Sequence, residues 1–192
     1  MKSLYINSSL NSLQICFKDG DKVQKFLSDG GKSQSEEIFD AINSVLGGVE
    51  IADLDFIVAV TGPGSFTGIR LGLSIIKGFL IATGVPVICM NNFDAMYCSV
   101  KDKGYNEYNI AFDAGGKDCY FARLDKNGVS VMPYGLMLKT DLPDGIITDE
   151  IDAVKVLKCV EEGFDKKTFV QNGIEPLYIK PHYAKVKREL AE

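Results

Sequence analysis

The chain has 192 residues, enough for one large domain or two small ones with a real core. Hydrophobic residues make up 46% and charged residues 24%, a balance that excludes general disorder. The net charge of −5 provides no basic field against a phosphate backbone, which argues against unaided nucleic-acid binding. Cys16, Cys89, Cys98, Cys119 and Cys159 are scattered, odd in number and never spaced Cys-x-x-Cys, so reduced thiols are expected and neither a disulfide frame nor a zinc site. His182 is the single histidine, and any histidine-based triad or metal centre would have to use that ring. Polar residues follow Met1 too soon for a signal peptide, and the apolar run over residues 69–83 holds Arg70 and Lys77 and is too short to span a bilayer. The expectation is a cytosolic protein.

In chain order, residues 4–6, 13–18 and 22–27 read as three strands joined by turns. Ser33 with Glu36 three residues on offers a capping box. Behind it Ile38, Phe39, Ala41, Ile42, Val45 and Leu46 recur at three and four, an amphipathic helix closed by Gly47-Gly48. Residues 56–60 form an apolar strand leading into Gly62-Pro63-Gly64-Ser65-Phe66-Thr67-Gly68. A second helix begins near Thr67 or Gly68, with Thr67 as cap, and ends at Gly84 before Pro86. Residues 87–90 are a short buried strand, and Asn92 or Asp94 caps a third helix running to Val100.

The polar stretch at residues 101–109 divides the chain into 1–104 and 105–192. Beyond it the opening pattern returns. Residues 109–113, 119–124 and 129–132 read as three strands, with Asp113 at the position Asn7 holds in the first half. Residues 144–148 form a further strand and 151–161 a helix with Ala153, Val154, Leu157 and Val160 inward; residues 181–192 are a charged tail.

A strand, a glycine-rich bend and a helix can hold an anion on backbone N–H groups. The bend nevertheless misses the common templates. A Walker A loop needs a lysine directly after its last glycine, and Arg70 comes one position late. Gly62, Gly64 and Gly68 give Gly-x-Gly-x-x-x-Gly where a dinucleotide fingerprint has one residue fewer, and no Gly-x-Ser-x-Gly elbow occurs. The alternative is a turn whose glycines let backbone pass close to another element. Asp113 is a candidate metal-phosphate ligand or a turn cap, and the amide of Asn7 is a poor hard-cation ligand. The second helix is apolar on all sides, so it is either central to the core or set against another protein.

The string from Thr61 through Gly62, Pro63, Gly64, Ser65, Phe66, Thr67, Gly68, Ile69, Arg70 and Leu71 to Gly72, followed by Lys77-Gly78, resembles the hallmark of the bacterial TsaB (YeaZ) family. Ser33 to Glu36, Leu54-Asp55, Pro86-Val87, the Asp113 hairpin and Pro176-Leu177-Tyr178-Ile179-Lys180 add to the resemblance, which is close in the first half and loose in the second. It implies an α/β, actin-like (ASKHA) fold of two βββαβα-type halves, the second reduced. It also implies a part in making threonylcarbamoyladenosine beside the anticodon of tRNAs that read codons beginning with A. In that system TsaD transfers the threonylcarbamoyl group from its adenylate. TsaB lacks the metal site, pairs with TsaD through its first two helices, is joined by TsaE, and alone forms homodimers through the same surface.

On this resemblance the chain is expected to be a non-catalytic subunit with no cofactor, no metal and only indirect contact with tRNA. The partner contact is expected at Ile38, Ile42, Val45, Ile69, Arg70, Leu73, Ile76, Lys77 and Leu80, and Leu73→Asp or Ile76→Asp is expected to abolish pairing. The chain departs from the family pattern at Asn7 (usually Asp), at Gln34 (frequently His), at Gly115-Gly116 (an arginine-rich turn) and in its shorter second half. The competing reading is an enzyme of the actin-like class, an ATP-dependent transferase or a glycoprotease-like peptidase. It lacks an evident nucleophile, base or metal cluster.

Overall fold

A computed structural model describes residues 1–148, 150–163 and 174–180. The first sheet is an antiparallel meander, β1 (Lys2–Asn7), β2 (Gln14–Asp19) and β3 (Lys22–Leu27), extended by two parallel strands, β4 (Phe56–Val60) and β5 (Val87–Met90), in the order β3-β2-β1-β4-β5. Its central strands are buried on both faces, so they read as continuous apolar runs. In β4, Phe56, Val58 and Val60 point into one layer, and Ile57 and Ala59 into the other. Leu4 and Ile6 of β1 share the second layer, and Tyr5 the first.

Helices α1 (Gln34–Leu46) and α2 (Phe66–Thr83) cover that second layer together. The carboxylate of Glu36 accepts from the backbone N–H and the hydroxyl of Ser33, at 3.0 and 2.6 Å, and Gly47 closes α1 in the left-handed region at φ 57°. Helix α2 is capped by Ser65, whose hydroxyl accepts from the Gly68 N–H at 3.2 Å; the cap is two residues earlier than expected. Starting at Phe66 gives α2 18 residues, so by length and composition it could cross a bilayer. Its Ile69, Leu73 and Ile76 are instead packed on the sheet. Helix α3 (Asn92–Val100) is capped by Asn91, not by Asn92 or Asp94, because the Asn91 side chain accepts from both Phe93 N–H and Asp94 N–H.

The chain passes through a 3-10 turn at Lys101–Lys103 into the second sheet, β6 (Glu107–Asp113), β7 (Asp118–Asp125), β8 (Gly135–Leu138) and β9 (Ile146–Ile147), in the order β8-β7-β6-β9. The first two pairings are antiparallel and β6–β9 is parallel, the same pattern as β3-β2-β1-β4. The repeat seen in the sequence is therefore a repeat of topology. Where α1 stands in the first half, the second has only a 3-10 turn at Lys139–Asp141.

The expected strand over residues 129–132 is a turn with one bridge, Leu124 to Ser130. The Asp125 carboxylate captures the N–H groups of Asn127 and Val129, each at 2.8 Å, and holds Val129 in the turn. Val129 and Val131 are left exposed.

Helix α4 (Ala153–Gly163) lies with α3 between the sheets. One continuous core joins Tyr5, Phe56 and Val58 of the first sheet, Phe93 and Met96 of α3, Tyr108 and Leu124 of the second sheet, and Val156 and Leu157 of α4. Lys18 of β2 pairs with Glu161 of α4 at 2.6 Å, and Ser3 donates to the same carboxylate, fastening α4 to the first sheet. His182 and the charged tail lie outside the described residues.

Candidate functional site

The Gly62–Gly68 bend is occupied by the chain's own first turn. A Cβ at Gly64 would run into the carbonyl oxygen of Ser9, one at Gly68 into that of Ser8, and one at Gly72 into the Ser8 hydroxyl. Hydrogen bonds keep the two segments in contact: Ser65 N–H donates to Ser9 O at 2.7 Å, and Ser8 Oγ to Gly68 O at 2.7 Å. Gly62, at φ 108° before a cis peptide to Pro63, presents its carbonyl to the Asn92 N–H at 2.7 Å. The glycines are there for close backbone approach between β1's exit and α2's entry.

At the centre of this joint Asn7 uses its whole hydrogen-bonding capacity. Its Nδ2 donates to Asn92 Oδ1 at 2.9 Å and to the Tyr5 hydroxyl at 3.1 Å; its Oδ1 accepts from Ser9 N–H at 3.0 Å and Ser9 Oγ at 2.6 Å. Asn92 Nδ2 completes the set with bonds to Ser9 Oγ and Pro63 O, both 2.7 Å. All three polar side chains are buried. An actin-like fold implies a nucleotide with a divalent cation at this place, and these residues do not fit one. The cradle is filled by Ser8 and Ser9, and the residue at the metal position is a neutral amide with no lone pair to spare.

In the second half, Asp113 is exposed at the end of β6. It accepts from Gly115 N–H at 3.0 Å and pairs with Lys139 at 2.9 Å. Lys139, and then the Gly115 N–H, hold its carboxyl below the usual aspartate range. Its geometry is that of a turn cap. Among the described residues no group of three or more His, Cys, Asp or Glu is placed to hold a metal.

The segment at residues 174–180, which has no regular secondary structure, crosses this joint. Leu177 N–H donates to Thr61 O at 2.8 Å, and Tyr178 stacks on Phe66 with ring centroids 4.7 Å apart. Arg70 donates to the Tyr178 hydroxyl at 2.9 Å and lies over its ring, while Lys180 reaches the second sheet at Ala114 O and Asp118. Arg70, expected to face a partner, is therefore also held by its own chain.

The residues expected to meet a partner divide. Ile38, Ile42, Val45, Ile69, Leu73 and Ile76 are all buried, and they are the side chains that seat α1 and α2 on the sheet. As a contact surface they are corrected: the hydrophobic effect assigns them to the chain's own core. Leu73→Asp or Ile76→Asp would put a charge into that core, and loss of pairing by either would report unfolding. Arg70 and Lys77 are exposed and Leu80 is half-buried. With Ser74, Gly78 and Ile81, the last 85% exposed, Arg70 and Lys77 form one outward stripe on α2; Phe39 on α1 is 56% exposed. Among the described residues, nothing beyond the helix's own backbone lies within 4 Å of a Cβ added at Gly78.

The repeated strand order and the helices sandwiched between two sheets define an α/β protein of the actin-like (ASKHA) class. The family described as TsaD, tRNA N6-adenosine threonylcarbamoyltransferase, matches residues 29–164. The tRNA threonylcarbamoyladenosine biosynthesis protein TsaB of Buchnera aphidicola is 24% identical over 159 residues, 79% of this chain and 70% of that protein. The Escherichia coli protein of the same name is 23% identical over 134 residues, 67% of this chain and 58% of that one. YeaZ from Pseudomonas aeruginosa superposes with a TM-score of 0.75 at 13% identity, covering 92% of this chain and 99% of that one, a likeness of fold. The chain belongs to the TsaD family and, within it, to the TsaB/YeaZ branch. It spans 70% and 58% of the two curated relatives' lengths.

Proposed function

We propose that this chain serves tRNA threonylcarbamoyladenosine synthesis in the cytoplasm as a non-catalytic subunit that pairs with TsaD and is joined by TsaE. The family membership and the relatives' names support the pathway. The joint at Asn7, closed on itself, supports a role without nucleotide chemistry. The net charge of −5 suits a protein that meets tRNA through its partner.

The observation that carries the docking surface is the outward stripe of α2. Gly78 is exposed in a helix interior, where glycine costs about 1 kcal/mol relative to alanine, and no contact among the described residues requires it. A bare backbone beside Ile81 allows a second helix to approach closely. The proposed partner contact lies on the side of the helices opposite Ile38, Ile42, Val45, Ile69, Leu73 and Ile76, keeps Arg70 and Lys77 as polar anchors, and is the face for which a second copy of this chain competes.

Mixing with TsaD, TsaE and tRNA tests the reading. Omitting this chain should abolish or strongly reduce modification; full modification without it would overturn the function. Ile81→Asp and Phe39→Asp should weaken TsaD binding by about tenfold or more, because the charge is desolvated on docking, and should leave the melting temperature unchanged. Undiminished co-elution of both variants would move the surface elsewhere.

A further inference from the structure

Two cysteines that the function does not use face each other where α3 meets α4. Cys98 is buried near the end of α3, Cys159 is half-buried in α4, and their sulfurs lie 2.7 Å apart. Lys101, at the C-terminal end of α3, pairs with Glu162 at 3.2 Å. The other cysteines make no such contact with one another: Cys16 and Cys119 are buried in different layers and Cys89 is exposed on β5. A disulfide needs an S–S separation of about 2.05 Å, so the pair is within a small side-chain adjustment of bonding.

We propose that Cys98 and Cys159 are a reversible oxidation site, forming a disulfide with hydrogen peroxide as oxidant and reopening with thiol reductants. The Cys98 thiol, and after it Lys101, draw the Cys159 thiol below its ordinary value, which favours its thiolate. The same contact, together with burial, pushes Cys98 up and keeps it protonated. Cys159 is half-buried where Cys98 is buried, so it is the sulfur that peroxide reaches first: Cys159 is the nucleophile and Cys98 the resolving thiol.

In the first step the Cys159 thiolate attacks one peroxide oxygen. The O–O bond breaks, hydroxide leaves, and Cys159 becomes a sulfenic acid. In the second step the Cys98 sulfur attacks the sulfenic sulfur. The S–S bond forms, the S–O bond breaks, and the Cys98 proton departs with the hydroxyl as water. The hydroxide from the first step takes up the proton Cys159 had released. Two thiols have lost two electrons and one peroxide has become two waters. The product ties the helix that closes the first sheet to the helix of the second half, across 61 residues of chain. In a reducing compartment such a bond is transient, as a redox sensor requires.

The test uses the reduced full chain. After treatment with one equivalent of hydrogen peroxide, it is alkylated in denaturant and digested without reduction. A peptide linking Cys98 to Cys159 is expected, with Cys16 and Cys119 still alkylated, and dithiothreitol should restore both thiols. The oxidised chain should melt roughly 5–15 °C higher. Cys98→Ser should accumulate a dimedone-reactive sulfenic acid at Cys159. Full alkylation of Cys98 and Cys159 under conditions that oxidise the exposed Cys89 would overturn the proposal, and so would dimers linked only through Cys89. Both readouts come from the unmodified sequence, so a misfolded variant cannot obscure them.

Discussion

The two halves repeat a four-strand topology and differ in what lies outside it. Over the first sheet, α1 and α2 build a full second layer with Ile38, Ile42, Leu73 and Ile76 at its centre. Over the second sheet, among the described residues, that layer shrinks to Ala111, Cys119 and Phe121, with Met137, Leu142 and Ile146 packed against them and a 3-10 turn in place of α1. The equivalent strand ends diverge as well: Asn7 is buried in a closed network, and Asp113 is exposed and paired with Lys139. A repeat can keep its strand order, which the shared core between the sheets fixes, while among the described residues the element at the place of α1 is reduced to a 3-10 turn in the second half.

Three pairs of substitutions press on this contrast. The largest effect is expected from Gly68→Val. The added Cβ meets the Ser8 backbone carbonyl, which cannot swing away as a side-chain tip could, so destabilisation of about 4 kcal/mol or failure to fold is expected in urea titration. Gly78→Ala on the same helix should stabilise the isolated chain by about 0.5–1 kcal/mol, since nothing is crowded there. Similar costs at both positions would break the account of the glycine-rich joint.

Next, Ile38→Ala in the thick outer layer should cost about 3 kcal/mol. Leu142→Ala in the thin one should cost about 1 kcal/mol, because its side chain is only half-buried. Equal losses in parallel chemical melts would mean that the second outer layer is better packed than its residues suggest.

The finest comparison is between Asn7→Ala and Asp113→Ala. The first leaves Ser9 and Asn92 groups buried without partners, at about 2–3 kcal/mol. The second removes an exposed ion pair worth less than about 1 kcal/mol after solvent screening. Its contribution also has a pH signature. The folded carboxyl of Asp113 is held below its ordinary 3.8, so its stabilisation is present above that value and is lost as pH falls through the folded pKa. The difference between wild type and Asp113→Ala should therefore be steady near neutrality and shrink below about pH 4. A gap that widens on acidification would show that Lys139 is not what holds the carboxylate.

Much of the fold was legible in local pattern. Alternating strands, the Ser33–Glu36 box, the Gly47 and Gly84 stops and the two-half repeat all follow from chemistry within a few residues. Boundaries slipped where a side chain outcompeted the pattern: Ser65 in place of Thr67 as cap, Asn91 in place of Asn92 or Asp94, and Asp125 holding Val129 out of a strand. Ile38, Ile42, Val45, Ile69, Leu73 and Ile76, expected at a partner contact, are core for a different reason. Apolar residues nearly surround α2, so a period of 3.6 does not say which sector meets the sheet and which faces outward.

The sequence alone determined the composition class, the strands and helices of the first half and their order, the family string at Gly62–Gly68 and the failure of that string to match a phosphate loop. Those are properties of neighbouring residues, and spacing records them. Only the tertiary structure decided that Ser8 and Ser9 fill the bend, that Asn7 and Asn92 lock it, and that the segment around Tyr178 crosses it. It alone turned Ile38, Leu73 and Ile76 inward and left Gly78 and Ile81 outward, and it brought Cys98 to Cys159. Each of those contacts joins positions far apart in the chain, and only folding brings their atoms within bonding distance.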